Sequence, residues 1–576
     1  MSAELVLAGP AATIREKGHR VVTVGGTPVL VLWHDGAFHA LDNRCPHMGF
    51  PLHTGDTRDG LLACHWHHAR FDITCGATLD PWADDAAAYR VEVRGDEVYV
   101  DPTRPPRDPR EHGSERLGRG LMDNLGLVAA KAIIELDEGD IEPELAMSIA
   151  ARWGATQRSD GWQPGLSVLT AMVNVLPALD AEDRQRALVH GVRFVARDCA
   201  GRPPRHPLPD LSGSGRDRAG LRQWLCETIN VRDARGAERV LFTLLVEHGT
   251  TAALDAVLAA CTDHRYADVG HTLDYAIKCA ELAERMDDAT DQAQLFTSLV
   301  PQMAQMRRME ETSAWRSPVD VAALVDAAWD DVPEEPFARP GGTVLPDSRG
   351  LAETLVADDP EGALAAIVAH LSAGVSPVAL ADAVVLAAIL RVLRFGTSNE
   401  ATDWDTVHHT LTYANAVAEA MRRAPSRDLF RAVLDGAMSV YLDRFLNLPP
   451  APLPASRAAV DDAATLLPEL LDAYDRRSSI DEAASIARAY LENGGDPRAL
   501  LGTLGKAVLR EDAGFHSFQQ LEIAWRQLER HGQSEQGRLA LVATARWIAA
   551  QFPTRRAMEQ TFSIARRLHR GDSFEA

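Results

Sequence analysis

Cys45 and His47 in Arg44-Cys45-Pro46-His47-Met48-Gly49, followed by Cys64 and His67 in Ala63-Cys64-His65-Trp66-His67-His68, constrain this chain more than any other feature. The pattern is C-x-H, sixteen intervening residues, then C-x-x-H. Each short loop offers one thiolate and one imidazole, so the fold must present two loops at one tip. Zinc fingers usually pair like with like, C-x-x-C with H-x-x-x-H. A mixed set of two sulfurs and two nitrogens fits a [2Fe-2S] cluster, with thiolates on one iron and neutral imidazoles on the other. That substitution removes negative charge and raises the reduction potential above that of an all-cysteine ferredoxin. A structural zinc ion on the same four residues is the alternative.

Ala40-Leu41-Asp42-Asn43 leads into the first loop, and Ala69-Arg70-Phe71-Asp72 follows the second before Gly76. With these flanks, the stretch from about Val21 to Val100 resembles the soluble Rieske ferredoxin family, including dioxygenase ferredoxins and the small subunit of NAD(P)H nitrite reductase. The resemblance implies that Cys45 and Cys64 ligate one iron and His47 and His67 the other. His65 and His68 fall off the spacing and read as exposed neighbours. Rieske proteins of respiratory complexes carry an extra cysteine in each loop, where this chain has Phe50 and Trp66. They also place Ser and Tyr hydroxyls near the cluster, where this chain has Ala69 and Phe71. Fewer donors to sulfur imply a potential towards the lower end of the Rieske span of about −150 to +300 mV.

Local pattern makes the surrounding scaffold β. Val29, Val31 and Trp33 alternate, Asp35-Gly36 forms a turn, and Phe38 and Ala40 return towards the first ligand. Tyr89, Val91 and Val93, then Gly95-Asp96, then Val98 and Val100 mark a second hairpin. The chain has 576 residues, too many for one core. Its seven cysteines, five of them scattered singly at Cys75, Cys199, Cys226, Cys261 and Cys279, make no disulfide framework and point to the cytoplasm. No leader pattern is evident, and the longest apolar run, Val378 to Leu390, is too short to span a membrane. With no spanning run a membrane is not an expected partner, and a net charge of −23 opposes binding to phosphate backbones, so nucleic acid is not one either.

After Val100 the texture changes. Residues 102–119, with Pro102, Pro105, Pro106 and Pro109 among charges, read as a linker between a β domain at 1–101 and an all-α domain at 120–576. Helical spacing, as in Leu166, Leu169, Met172, Val173 and Leu176, takes over. Breaks near 201–220, 330–350 (with Pro340-Gly341-Gly342) and 447–457 divide it. Within it, His271-Thr272-Leu273-Asp274-Tyr275-Ala276 recurs as His409-Thr410-Leu411-Thr412-Tyr413-Ala414, with eight identities over sixteen positions. The duplicated units run about 236–330 and 358–450. A fainter third, about 485–570, centres on His516.

In each copy His and Tyr lie four apart on one helical face, and Asp268 precedes His271 by three as Asp405 precedes His408. Asp268, His271, Tyr275, His408, His409 and Tyr413 are therefore candidates for a second metal or cofactor site. The alternative is that His and Thr cap a helix while Tyr fills core. The oxygenase pattern D-x-x-H-x-x-x-x-H is not completed, since position 276 is Ala, and no nucleotide-binding glycine motif appears. The expectation is a small all-β Rieske-type domain followed by a large all-α domain with internal duplication. It would transfer electrons within an oxidoreductase system, using a reductase or acceptor protein as partner. Two further readings stand beside it: a self-contained, oxygenase-like redox enzyme with its own small-molecule substrate, and a helical part that serves as a docking module.

Overall fold

Asp35 and Gly36 both take positive φ, 46° and 81°, which is the geometry a two-residue hairpin needs. In the computed structural model, which describes residues 4–103, 108–211, 213–338, 341–457 and 461–570, they join β3 (Thr27–His34) to β4 (Ala37–Asp42), with Trp33 opposite Phe38. β1 (Val6–Pro10) and β2 (His19–Val24) precede this hairpin. β5 (Asp56–Arg58), β6 (Leu61–Ala63), β7 (Arg70–Asp72), β8 (Ala88–Tyr89), β9 (Val91–Arg94) and β10 (Glu97–Val100) follow it. Among the described residues three small antiparallel sheets result, in the orders β1-β10-β9, β2-β3-β4-β8 and β5-β6-β7. The second expected hairpin forms through Gly95-Asp96, but Tyr89 belongs to β8 and pairs with Ala40 of β4 instead.

The chain divides into two units. One runs to Ala150 and includes the final helix, Ala557–Arg570; the other spans Ala151–Arg556. This differs from the expected division at residues 101 and 119. Helix Pro109–Met122 occupies most of the expected linker. Asp108 accepts the Arg110 N–H and Pro109 sits in the first turn, so residues read as linker punctuation are a helix start. It packs on Gly126–Glu138, and Ala557–Arg570 packs on that helix in turn. Pro105, Pro106 and Pro340 lie outside the described residues.

The second unit is helical. Its apolar run at Val378 to Leu390 is the body of Pro377–Leu393, buried on nearly every face. The helix Ala234–Thr262 is long and apolar enough to cross a membrane, but Gly249 (φ 78°, ψ 179°) breaks it. The three histidine segments lie on His271–Ala283, Ala401–Arg423 and Phe515–His531, each preceded and followed by further helices. These three helices meet through a polar interior. Lys278 reaches Glu522 (2.9 Å), Arg526 reaches Glu281 (2.8 Å), Gln527 reaches Asn415 (3.0 Å) and Arg530 reaches Glu419 (2.8 Å).

Candidate metal centres

Two loops with one design carry the four N-terminal donors. In the first, the Cys45 N–H donates to the Phe50 carbonyl (2.8 Å) and the Gly49 N–H to the Cys45 carbonyl (2.7 Å). In the second, the Cys64 N–H donates to the Ala69 carbonyl (2.8 Å) and the His68 N–H to the Cys64 carbonyl (3.0 Å). The fifth position of each turn is left-handed: Gly49 at φ 80° and His68 at φ 63°. Glycine adopts this freely, whereas His68 does so at a cost of about 1 kcal/mol. Gly76 (φ 78°) closes the base, where a Cβ would fall 2.0 Å from the Ala86 carbonyl oxygen.

Cys45 and Cys64 are both buried. The Cys45 thiol, with the backbone amides of Trp66 and His67, pulls Cys64 down to about 6 against its burial, while Cys45 is pushed up in return. Burial, and then His67 and Lys131, lowers His47 to about 4, so its ring is neutral. The His47 and His67 rings lie 4.8 Å apart between centroids. His47 Nδ1 is buried without a hydrogen-bond partner, an expensive state for an imidazole nitrogen that a metal bond relieves. Two facing thiols and two imidazoles at one tip therefore fit a Rieske-type [2Fe-2S] cluster, which Cys45, Cys64, His47 and His67 would hold. His65, His67, Trp66 and His68 are exposed, and Trp66 stacks on His67 at 4.5 Å.

Three contacts around this tip were not read from the sequence. Trp82 sets its ring edge-on to His47 at 4.8 Å. Arg44 is buried against Asp42 (2.6 Å). Lys131, from Gly126–Glu138, donates to the carbonyl of Pro46 inside the first ligand loop. Burial lowers Lys131 to about 8 against the pull of Asp84 (3.6 Å). Burial opposes the charge on Asp84, yet Arg116 (2.9 Å) and Lys131 hold its carboxyl below the usual range. A cleft of about 450 Å³ runs along Arg44, Pro46, Asp84, Arg116, Lys131 and Glu135. A lone lysine in the apolar run Leu127–Ile134 was the signal available for Lys131.

In the helical unit, the residues singled out by the repeat part company. His271 and His409 come together, joined by His516 of the fainter third segment, with ligand atoms within 4.8 Å of one another. His409 Nε2 lies 3.1 Å from His516 Nε2, and Asp405 stands 3.0 Å from His516 Nδ1. Tyr275 stacks on His271 at 5.7 Å. The other three sit outside the donor set. His408 is fully buried, with Nδ1 on Gln520 (2.9 Å) and Nε2 on Thr412 (3.1 Å). Asp268 takes hydrogen bonds from Gln302 (2.6 Å) and the Arg307 N–H (3.1 Å). Tyr413 packs against Tyr266 and Gly270. Burial, aided by the neighbouring histidines and Arg307, lowers His271 to about 3 and His409 to about 2.

A family model, the Rieske [2Fe-2S] domain, matches residues 4–90. Apoptosis-inducing factor 3 of Homo sapiens is 39% identical over 82 residues, 14% of this chain and 14% of that protein. The chain thus spans a small part of that relative's length. The 3-phenylpropionate/cinnamic acid dioxygenase ferredoxin subunit of Photorhabdus laumondii is 34% identical over 77 residues, 13% of this chain and 73% of the subunit. The solved ferredoxin of carbazole 1,9a-dioxygenase from Nocardioides aromaticivorans aligns over 18% of this chain and all of its own, at 26% identity and a TM-score of 0.17. Through the unit that carries Cys45, His47, Cys64 and His67, the chain belongs to the Rieske [2Fe-2S] family.

Proposed function

We propose that this chain is an electron carrier of an oxidoreductase system, which takes single electrons from a separate reductase and delivers them to a site in the helical unit or to a protein docked on it. The observation that carries the reading is the pair of matched loops holding two thiols and two imidazoles, with the His67 edge exposed. Its relatives include ferredoxin subunits of dioxygenase systems, which supports the same role. When bound, the cluster supplies a one-electron couple. The chain's own residues do the rest: His67 and Trp66 offer the contact edge, and Lys131 and Arg44 support the first loop from behind. An overall charge of −23 suits a basic partner face. Unpaired cysteines support a cytoplasmic setting.

Purified without oxygen, the full chain is expected to carry two irons and to give a paramagnetic signal after uptake of one electron. Colourless protein after reconstitution, or protein with one zinc, would end the reading. The histidines from three similar helix-flanked segments favour a second reading, in which the helical unit is a repeat structure that houses its own redox metal.

A further inference from the structure

We infer that His271, His409 and His516 form a binding site for one divalent transition-metal ion, held by three imidazoles with coordination positions left open to solvent. The site rests on its own geometry, goes beyond the electron-carrier reading and does not depend on it. Metal–nitrogen bonds of about 2.0–2.1 Å, at the angles of tetrahedral or octahedral coordination, place neighbouring ligand nitrogens about 3.0–3.4 Å apart. His409 Nε2 and His516 Nε2 stand at 3.1 Å. The full set of three ligand atoms lies within 4.8 Å, so modest side-chain rotation closes the remaining gap.

The surroundings fit. Asp405 Oδ1 stands 3.0 Å from His516 Nδ1, behind the ring whose Nε2 faces His409. A carboxylate behind a ligand histidine is the usual support of a metal-bound imidazole. His271 has no hydrogen-bond partner among the described residues, yet the chain places it through a strained turn. Asp268 (φ 50°), Val269 (φ 51°) and Gly270 (φ 94°) are all left-handed just before it. A β-branched residue in this region is a genuine outlier, and such strain gathers at functional sites.

A hydrogen-bonded packing cluster accounts for the His409–His516 pair, but not for strain that aims an unpartnered His271 at the same point. His408 is excluded as a ligand because both of its nitrogens already have partners. An all-imidazole set selects iron, cobalt, nickel, copper or zinc over calcium and magnesium. Three protein ligands, each partly accessible, match metal sites that keep a position free for chemistry rather than closed four-ligand structural sites.

The test uses the full chain, purified without oxygen, incubated with ferrous ion in one arm and Co(II) in the other, and then desalted. The wild type is expected to hold one metal equivalent beyond the irons of the cluster. His271→Gln and His409→Gln should each lose it, with cluster signal and helical circular dichroism unchanged. Asp405→Asn should retain the site with affinity weakened about 10–100-fold. Equal metal content in wild type and both Gln variants, at wild-type helicity, overturns the proposal. If a Gln variant fails to fold, the wild-type count decides: no equivalent beyond the cluster irons in either arm overturns it. Protein that holds the additional metal but no cluster would sink the electron-carrier reading and leave this site standing.

Discussion

Lys131 brings an ammonium group to the carbonyl of Pro46, between the first cysteine and histidine of the cluster loops. Reduction adds negative charge to the cluster, so a nearby cation stabilises the reduced state. Lys131→Met is expected to lower the reduction potential by on the order of 50 mV, from the Coulomb energy of a partly shielded charge at loop distance. Redox titration followed by paramagnetic resonance reads this, and an unchanged midpoint would show that solvent screens the charge. Asp435 gives a pH prediction. It is fully buried, 3.7 Å from Arg265, and burial lifts it to about 7 despite Arg265 and Arg431. Its folded value exceeds the unfolded value of about 3.9, so the folded state binds the proton more tightly. The stabilising share is full below about pH 4 and is lost as pH rises to 7. Asp435→Asn removes that loss. Its stability relative to wild type should therefore climb through this window, by up to about 1.4 kcal/mol per pH unit, and level off above it, as read by denaturant unfolding at several pH values.

The helices His271–Ala283, Ala401–Arg423 and Phe515–His531 are joined by buried charges rather than by a dry seam. Lys278 sits 2.9 Å from Glu522 and 3.2 Å from Glu281, all nearly inaccessible. Lys278→Met leaves two carboxylates facing Arg526, and should cost about 3–5 kcal/mol of helical-unit stability, measured by urea unfolding followed by circular dichroism. At this scale the sequence was legible where a motif is local. The ligand loops, the Asp35-Gly36 hairpin and the repeated His-Thr-Leu segments all stand out in short windows. His516 was legible only faintly, because its helix shares spacing but little identity with the other two. Asp268 and Tyr413 misled because a recurring segment keeps packing residues as readily as chemical ones. One supports the turn before His271 and the other packs beneath it. Lys131 was overlooked because periodicity scores an apolar helix face and treats a single lysine as noise.

At the scale of the molecule, the final helix belongs to the first unit. Met558, Phe562 and Ala565 form its buried stripe, at the spacing of one helical face. Removing Ala557–Arg570 exposes apolar surface worth about 3–6 kcal/mol. It is expected to lower the temperature at which the iron signal is lost, with little change in the melting of the helical unit. Nothing in the local pattern of residues 557–570 says which partner they choose, since an amphipathic stripe specifies burial without naming what buries it. The boundary at residue 119 failed for the same reason: helix Pro109–Met122 carries linker-like composition, and its place was set by tertiary packing.

A helix that joins the first unit from more distant sequence also sets an order of events during synthesis. The ligand loops leave the ribosome early, but their supporting helix layer stays incomplete until Ala557–Arg570 has emerged. Iron insertion into a fully supported pocket thus waits for residues 557–570, and ribosomes stalled upstream of residue 557 should yield nascent chains that bind the cluster poorly.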